Sequence, residues 1–181
     1  MKILHLSNYL RYSWPLHFVL LLTNWLPDNL IFLRLRGFLA SFFFKKCGKN
    51  LRLGRNITFY KPYQMEIGDN VYIAYGGWFN GSIIIENNVI FGPYCMFTSS
   101  NHTFKNGSFR YGSKTEKGKI VVGFGSWVGG MCSVLAGGGL GINCLLASNS
   151  VLNKIMEEGS IYGGTPAKLI GKVKIEMDEI N

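Results

Sequence analysis

Charged residues are scarce in this 181-residue chain, at 16%, and only ten of them are acidic. With 48% apolar and 14% aromatic residues beside so little charge, the chain cannot be a disordered one and must bury a core. Its length suits one domain with room for an appendage. Histidine is scarcer still: His5, His17 and His102 are all there are. The four cysteines, Cys47, Cys95, Cys132 and Cys144, form no CxxC pair and no zinc-type spacing, so no metal site is expected and the thiols read as reduced and mostly buried. No apolar run reaches the ~20 residues that span a bilayer, because the stretch from Leu16 to Leu26 is broken by Thr23 and Asn24 and stops at Pro27. No small-x-small cleavage site follows it, and a cytoplasmic protein is expected. A P-loop is missing, and no glycine pair opens a helix after a strand, which excludes ATP and dinucleotide binding by those devices.

The few acids are also unevenly placed. Residues 1–62 hold ten Lys/Arg and one acid, Asp28, whereas residues 63–181 hold nine of each sign. A balanced body argues against nucleic acid as a partner. The N-terminal excess lies among aromatic and aliphatic residues, as in the run from Trp14 to Leu22 and the run from Ile31 to Leu39. Residues 1–50 therefore read as an amphipathic basic segment. Two roles stay open for it: contact with an anionic membrane surface through Trp14, Phe18 and Trp25 with Arg34, Arg36, Lys45 and Lys46, or packing as a cap on the domain that follows.

Glycine, by contrast, is abundant at 23 residues, with no Gly-X-Y period. A stride of six explains the surplus. Ile67, Ile73, Phe79, Ile85, Phe91 and Phe97 form one series, and Val122, Val128, Val134, Leu140, Leu146 and Leu152 a second, every one a large apolar residue. Four positions after each lies a mostly small or β-branched residue, such as Val71, Val89, Cys95, Cys132 and Ser150. Neither a helix period of 3.6 nor a strand period of two gives this, so the chain is expected to wind as a parallel β-helix, one short strand and one corner per hexapeptide and three hexapeptides per turn. Glycines are expected at corners that a Cβ would obstruct. The register slips by two residues near Lys61-Pro62-Tyr63, and residues 103–119 form a polar excursion that leaves directly after His102.

Three segments carry a resemblance: Gly92 to His102 (GPYCMFTSSNH), Val122 to Gly130 (VGFGSWVGG) and Tyr162 to Ile170 (YGGTPAKLI). In that order, with a loop between the first two, they resemble the left-handed β-helix, hexapeptide-repeat acetyltransferases, in the branch of galactoside and maltose acetyltransferases and polysaccharide O-acetyltransferases. The likeness covers about residues 50–175. It implies an all-β, left-handed parallel β-helix over 51–175, preceded by the segment 1–50 and followed by a short tail, 176–181. It also implies acetyl-CoA as donor, no metal, and a homotrimer with sites between subunits.

His102 matches the catalytic histidine of that family, and it is the only histidine within the repeats. Acyl transfer to a hydroxyl needs a base, and an imidazole with a pKa near ~6.5 suits neutral pH. Trp127 matches an aromatic that walls the acceptor pocket, and Asn80 an asparagine that contacts the acceptor, although Trp78 stands where related enzymes often carry a second asparagine. Gly130, Ser148, Asn153, Lys154 and Lys168 occupy positions that hold CoA. The expected reaction is O-acetylation of a sugar hydroxyl, in surface polysaccharide biosynthesis at the inner face of a membrane. N-acetylation of an amino sugar and a non-enzymatic scaffold remain open. A carbonic anhydrase on the same repeat would need three histidines around a metal, which this chain lacks.

Overall fold

The computed structural model describes residues 6–109 and 115–174, so the expected tail 176–181 lies outside the described residues. The hexapeptides wind into a solenoid of about six turns with three faces. On the first face, Lys46–Cys47, Met65–Ile67, Ile83–Ile85 and Ile120–Val122 pair in parallel. The second face stacks Arg52–Leu53, Tyr72–Ile73, Ile90–Phe91, Trp127–Val128, Leu145–Leu146 and Ser160–Gly163, closed by the antiparallel strand Lys168–Lys172. The third stacks Thr58–Tyr60, Trp78–Asn80, Met96–Thr98, Ser133–Val134 and Val151–Leu152. The first turn begins at Lys46, within the segment that the sequence set apart as 1–50.

All twelve residues of the six-residue series point inward, none more than 3% exposed. Stacking one turn on the next brings like side chains together along the axis. Phe79 stacks on Phe59 with ring centroids 5.4 Å apart and on Phe97 at 5.3 Å, and meets Phe91 edge-on at 5.5 Å. This aromatic column accounts for part of the unusual phenylalanine content. Among the partners four positions on, Asn101 is the exception. It is exposed because the chain has already left the turn.

Asparagine shares the corners with glycine. Asn50, Asn70, Asn88 and Asn143 hold left-handed backbone (φ 58°, 58°, 59° and 53°) at equivalent places between first and second faces, with Gly125 (φ 66°) in the same column. Their side chains form a ladder, Asn50 Nδ2 donating to Asn70 Oδ1 at 2.9 Å and Asn70 Nδ2 to Asn88 Oδ1 at 3.1 Å. A short amide side chain that satisfies its neighbours lowers the cost of that conformation, which is why asparagine can replace glycine here.

The N-terminal segment covers the open end of the solenoid. A π-helical turn, Tyr9–Ser13, leads into α1 (Trp14–Thr23), and α2 (Leu30–Ser41) starts at Asn29, whose side chain accepts from the Phe32 N–H at 3.1 Å. Leu16 and Leu20 of α1 and Ala40 of α2 join the solenoid's own core. Gly37 lets α2 lie directly on the first turn, since a Cβ there would stand 1.9 Å from the Leu51 carbonyl oxygen. One of the expected membrane contacts is corrected by this packing. Arg36 is fully buried, donating to the carbonyls of Thr23, Leu26 and Leu53 and to Asp28, and cannot meet a lipid headgroup.

Candidate active site

Most of the sequence-predicted residues gather at two corners. On the third face Phe59, Phe79, Phe97, Val134 and Leu152 point inward, so the next residue of each strand points out. Tyr60, Asn80, Thr98, Leu135 and Asn153 thus form one outward column beside the corner that leads to the first face. Asn80 and Thr98 are register partners, with Asn80 Nδ2 3.4 Å from Thr98 Oγ1. The other end of the amide is without a partner: Asn80 Oδ1 is buried and accepts no hydrogen bond. An orphaned buried acceptor is costly, and a hydroxyl donor placed there would relieve it.

Just past Thr98 the chain leaves the turn. It does so three residues earlier than the sequence suggested: Ser100–His102 already pairs antiparallel with Thr115–Lys117, and Gly118 N donates to Ser99 O at 2.8 Å where the excursion rejoins. A second small ribbon, Phe104–Lys105 with Ser108–Phe109, continues outward. His102 therefore sits on a two-stranded arm, exposed, opposite Thr115 in register. Asn153 and Lys154 follow the strand Val151–Leu152 at the same corner, two strand spacings from Thr98, about 10 Å along the axis.

Gly130 and Ser148 lie at the other end of the third face, where the second face turns into it. Asn149 N donates to Gly130 O at 3.0 Å, which ties adjacent turns together at this corner. Tight stacking alone accounts for Gly129, where a Cβ would meet Ser148 N at 2.6 Å, while Gly130 is constrained more mildly by Pro93 at 3.2 Å. Lys168 stands opposite Gly163 in the last strand and is exposed. Lys154 is exposed as well, its ammonium 5.1 Å from the ring centroid of Tyr162. Asn153, Lys154 and Lys168 give the C-terminal turns the cations and amide that a phosphate-bearing ligand requires, and the small residues at Gly130 and Ser148 leave the corner open to an extended arm. The residues fit such a donor.

Trp127 is the residue that a single chain does not bring to the rest. It projects from the second face, half exposed, in an outward column with Ile90 and Leu145, whereas His102 leaves from the corner between third and first faces. A pocket wall facing His102 is not formed by Trp127 within one subunit. Thr98 is the neighbour that the sequence reading passed over. Its signal was a spacing of eighteen from Asn80, one full turn of three hexapeptides. A groove of about 430 Å³ on the first face is lined by residues including Glu66, Asp69, Glu86 and Phe124 and contains none of the expected site residues. No group of three or more metal-ligating side chains occurs among the described residues.

No protein-family profile matches the chain. In sequence it is 27% identical over 144 residues to an Escherichia coli protein, WbbJ, provisionally named as a lipopolysaccharide biosynthesis O-acetyl transferase; the match covers 71% of this chain and 69% of that one. It is 31% identical over 130 residues to a provisionally named acetyltransferase of Staphylococcus aureus, covering 72% and 59%, and 24% identical over 126 residues to another of Saccharomyces cerevisiae, covering 65% and 64%. The chain thus spans less than two thirds of the length of the latter two relatives. In structure it is similar to a galactoside acetyltransferase in complex with coenzyme A, with a TM-score of 0.78 at 18% identity over 90% of this chain and 80% of that one. A maltose O-acetyltransferase from Clostridium difficile gives 0.77 at 21% identity over 92% and 88%. A Vibrio cholerae hexapeptide-repeat acetyltransferase complexed with acetyl coenzyme A gives 0.77 at 22% over 90% and 87%.

Proposed function

We propose that this chain, built on the fold of the hexapeptide-repeat acetyltransferases, transfers an acetyl group from acetyl-CoA to a sugar hydroxyl. The observation that carries the reading is the pairing of Asn80, with its unsatisfied Oδ1, and the arm bearing His102 at one corner of the solenoid. Asn80 accepts a hydrogen bond from one acceptor hydroxyl and so orients the sugar. His102 takes the proton of a neighbouring hydroxyl as that oxygen attacks the thioester carbonyl. A C–O bond forms, the C–S bond breaks, and the imidazolium returns its proton to the departing sulfur. A backbone N–H at the coil edge stabilises the oxygen that gains negative charge. No acyl-enzyme is involved, since the acetyl group passes directly from sulfur to oxygen.

The two corners carrying donor-site residues lie at opposite ends of the third face, which supports a site completed by a second subunit and hence a cyclic trimer. In such an assembly Trp127 of one chain approaches His102 of the next. Asn153, Lys154 and Lys168 hold the phosphates, and Gly130 and Ser148 admit the pantetheine arm. In this reading residues 51–175 are the catalytic body and 1–50 its N-terminal cap. The relative provisionally named for lipopolysaccharide biosynthesis supports a polysaccharide building block as acceptor. The test is release of CoA from acetyl-CoA with galactosides, maltose, nucleotide sugars and lipid-linked glycans. His102→Ala is expected to lower kcat by about 10²–10⁴-fold with acetyl-CoA affinity unchanged. Near wild-type turnover in a folded His102→Ala protein would exclude the base, and CoA release with amino sugars alone would favour N-acetylation.

A further inference from the structure

The helical cap is apolar on both sides. Leu16, Leu20 and Ala40 face the first turn and are buried, yet the opposite side of each helix carries a second apolar stripe. On α1 the stripe runs through Trp14 and Phe18, at i and i+4, and Trp25 stands exposed in the turn that follows the helix. On α2 it runs through Ile31, Phe38 and Phe42, at i, i+7 and i+11. All six are between 55% and 78% exposed. Each spacing keeps the residues on one side of a 3.6-residue helix, and that side lies away from the solenoid. Helices apolar all round are ordinarily covered, and contiguous exposed patches of this kind mark an interaction surface.

We infer that this outer face lies on an anionic lipid surface as a monotopic anchor. Charge selects the occupant. Residues 1–65 hold ten Lys/Arg against one acid, Asp28, and that acid is engaged by Arg36 at 3.2 Å and Arg55 at 3.3 Å. Arg11 and Arg34 are exposed beside the stripes, three residues before Trp14 and three after Ile31, and Lys46 and Lys49 are exposed just beyond α2. A second copy docked face to face would set these cations against their own kind, whereas anionic headgroups complement them. Tryptophan at the start of α1 and in the turn just past its end suits the depth at which headgroups meet acyl chains. The helices lie in the surface and do not cross it: at ten and twelve residues they are about 15 and 18 Å long, against about 30 Å of hydrocarbon. No helix among the described residues is long and apolar enough to span. The docking requires no acetyl transfer and stands apart from the proposed reaction.

The test is sedimentation of the full chain, without acetyl-CoA, with vesicles of phosphatidylcholine alone or mixed with phosphatidylglycerol. Binding is expected to the mixed vesicles at low salt and to weaken at high salt. Phe18→Ser with Phe38→Ser is expected to reduce partitioning more than tenfold, and Arg34→Gln about fivefold on the anionic vesicles only. Both variants alter exposed side chains, and thermal unfolding checks that they fold. Failure of the wild-type chain to bind mixed vesicles would overturn the inference, as would undiminished binding by the double phenylalanine variant. A smaller particle for that double variant by light scattering would assign the face to a second copy instead. Loss of transferase activity in a chain that still binds vesicles would leave the anchor intact.

Discussion

Arg36 reaches Asp28 across 3.2 Å from a fully buried position, and three of its remaining N–H groups donate to backbone carbonyls at the junction of α1, α2 and the first turn. Burial pulls the guanidinium pKa down while Asp28 pushes it back up. The charge persists there because its hydrogen bonds are almost all made; only Nε is left without a partner. Arg36→Ala leaves Asp28 Oδ1 and the three carbonyls without this donor, with Arg55 still on Asp28 Oδ2, and is expected to destabilise the chain by about 3–5 kcal/mol. Urea unfolding of wild type and variant measures the difference, with the cap expected to loosen first by hydrogen exchange.

Phe79 touches Phe59, Phe91 and Phe97 and is fully buried. Phe79→Ala opens a cavity between rigid turns that cannot collapse onto it, with an expected loss of about 3–5 kcal/mol. The neighbouring Asn80 makes a sharper functional probe. Asn80→Ala is expected to raise KM for the acceptor about tenfold, for a lost substrate hydrogen bond of about 1.5 kcal/mol, while KM for acetyl-CoA stays put. A change in the donor KM instead would remove Asn80 from the acceptor site.

Tyr94 and Met131 hold left-handed backbone, at φ 58° and 60°, at the corner where Asn56 and Asn149 occupy the equivalent places in other turns. Neither side chain supplies the local hydrogen bond of an asparagine, and both are more than half exposed. Tyr94→Asn and Met131→Asn are each expected to stabilise the chain by about 1 kcal/mol, from relief of that strain. Differential scanning calorimetry would show the rise in Tm. If either variant also loses activity, the exposed side chain serves the site beside Gly130.

Burial pushes the Cys95 thiol up to about 12 and that of Cys47, with help from Asp69, to about 11, from 9.0 in both cases. Above pH 9 the unfolded chain releases these protons while the folded one keeps them, so stability is full below about pH 9 and falls as pH rises toward 11–12. Each shifted thiol contributes a slope of about 1.4 kcal/mol per pH unit in that window. Urea midpoints at pH 8 and pH 10.5 should differ in this direction, and Cys95→Ala should flatten the dependence. The buried thiols of Cys95, Cys132 and Cys144 are also expected to resist alkylation at pH 8 until the chain unfolds.

The sequence by itself determined the solenoid, because a strict six-residue period admits few ways to bury one large side chain per window. Ile73, Phe91 and Leu146 could be placed inside without coordinates. It also marked His102, the one histidine of the repeats, directly before the excursion, and through the family resemblance Asn80. Three things awaited the tertiary structure. Which residues share a corner depends on how many turns separate them, so the column Asn80, Thr98, Asn153 became visible only when each turn was known to take eighteen residues or so and the excursion to begin at Ser100. Arg36 and Arg34 look alike in sequence, two residues apart, but a helix sends side chains that far apart to opposite sides, so one became an internal strut and the other stayed in solvent. Trp127 illustrates the third limit: its face is fixed by the winding, and its distance from His102 is fixed by assembly, which a pattern along a single chain does not encode.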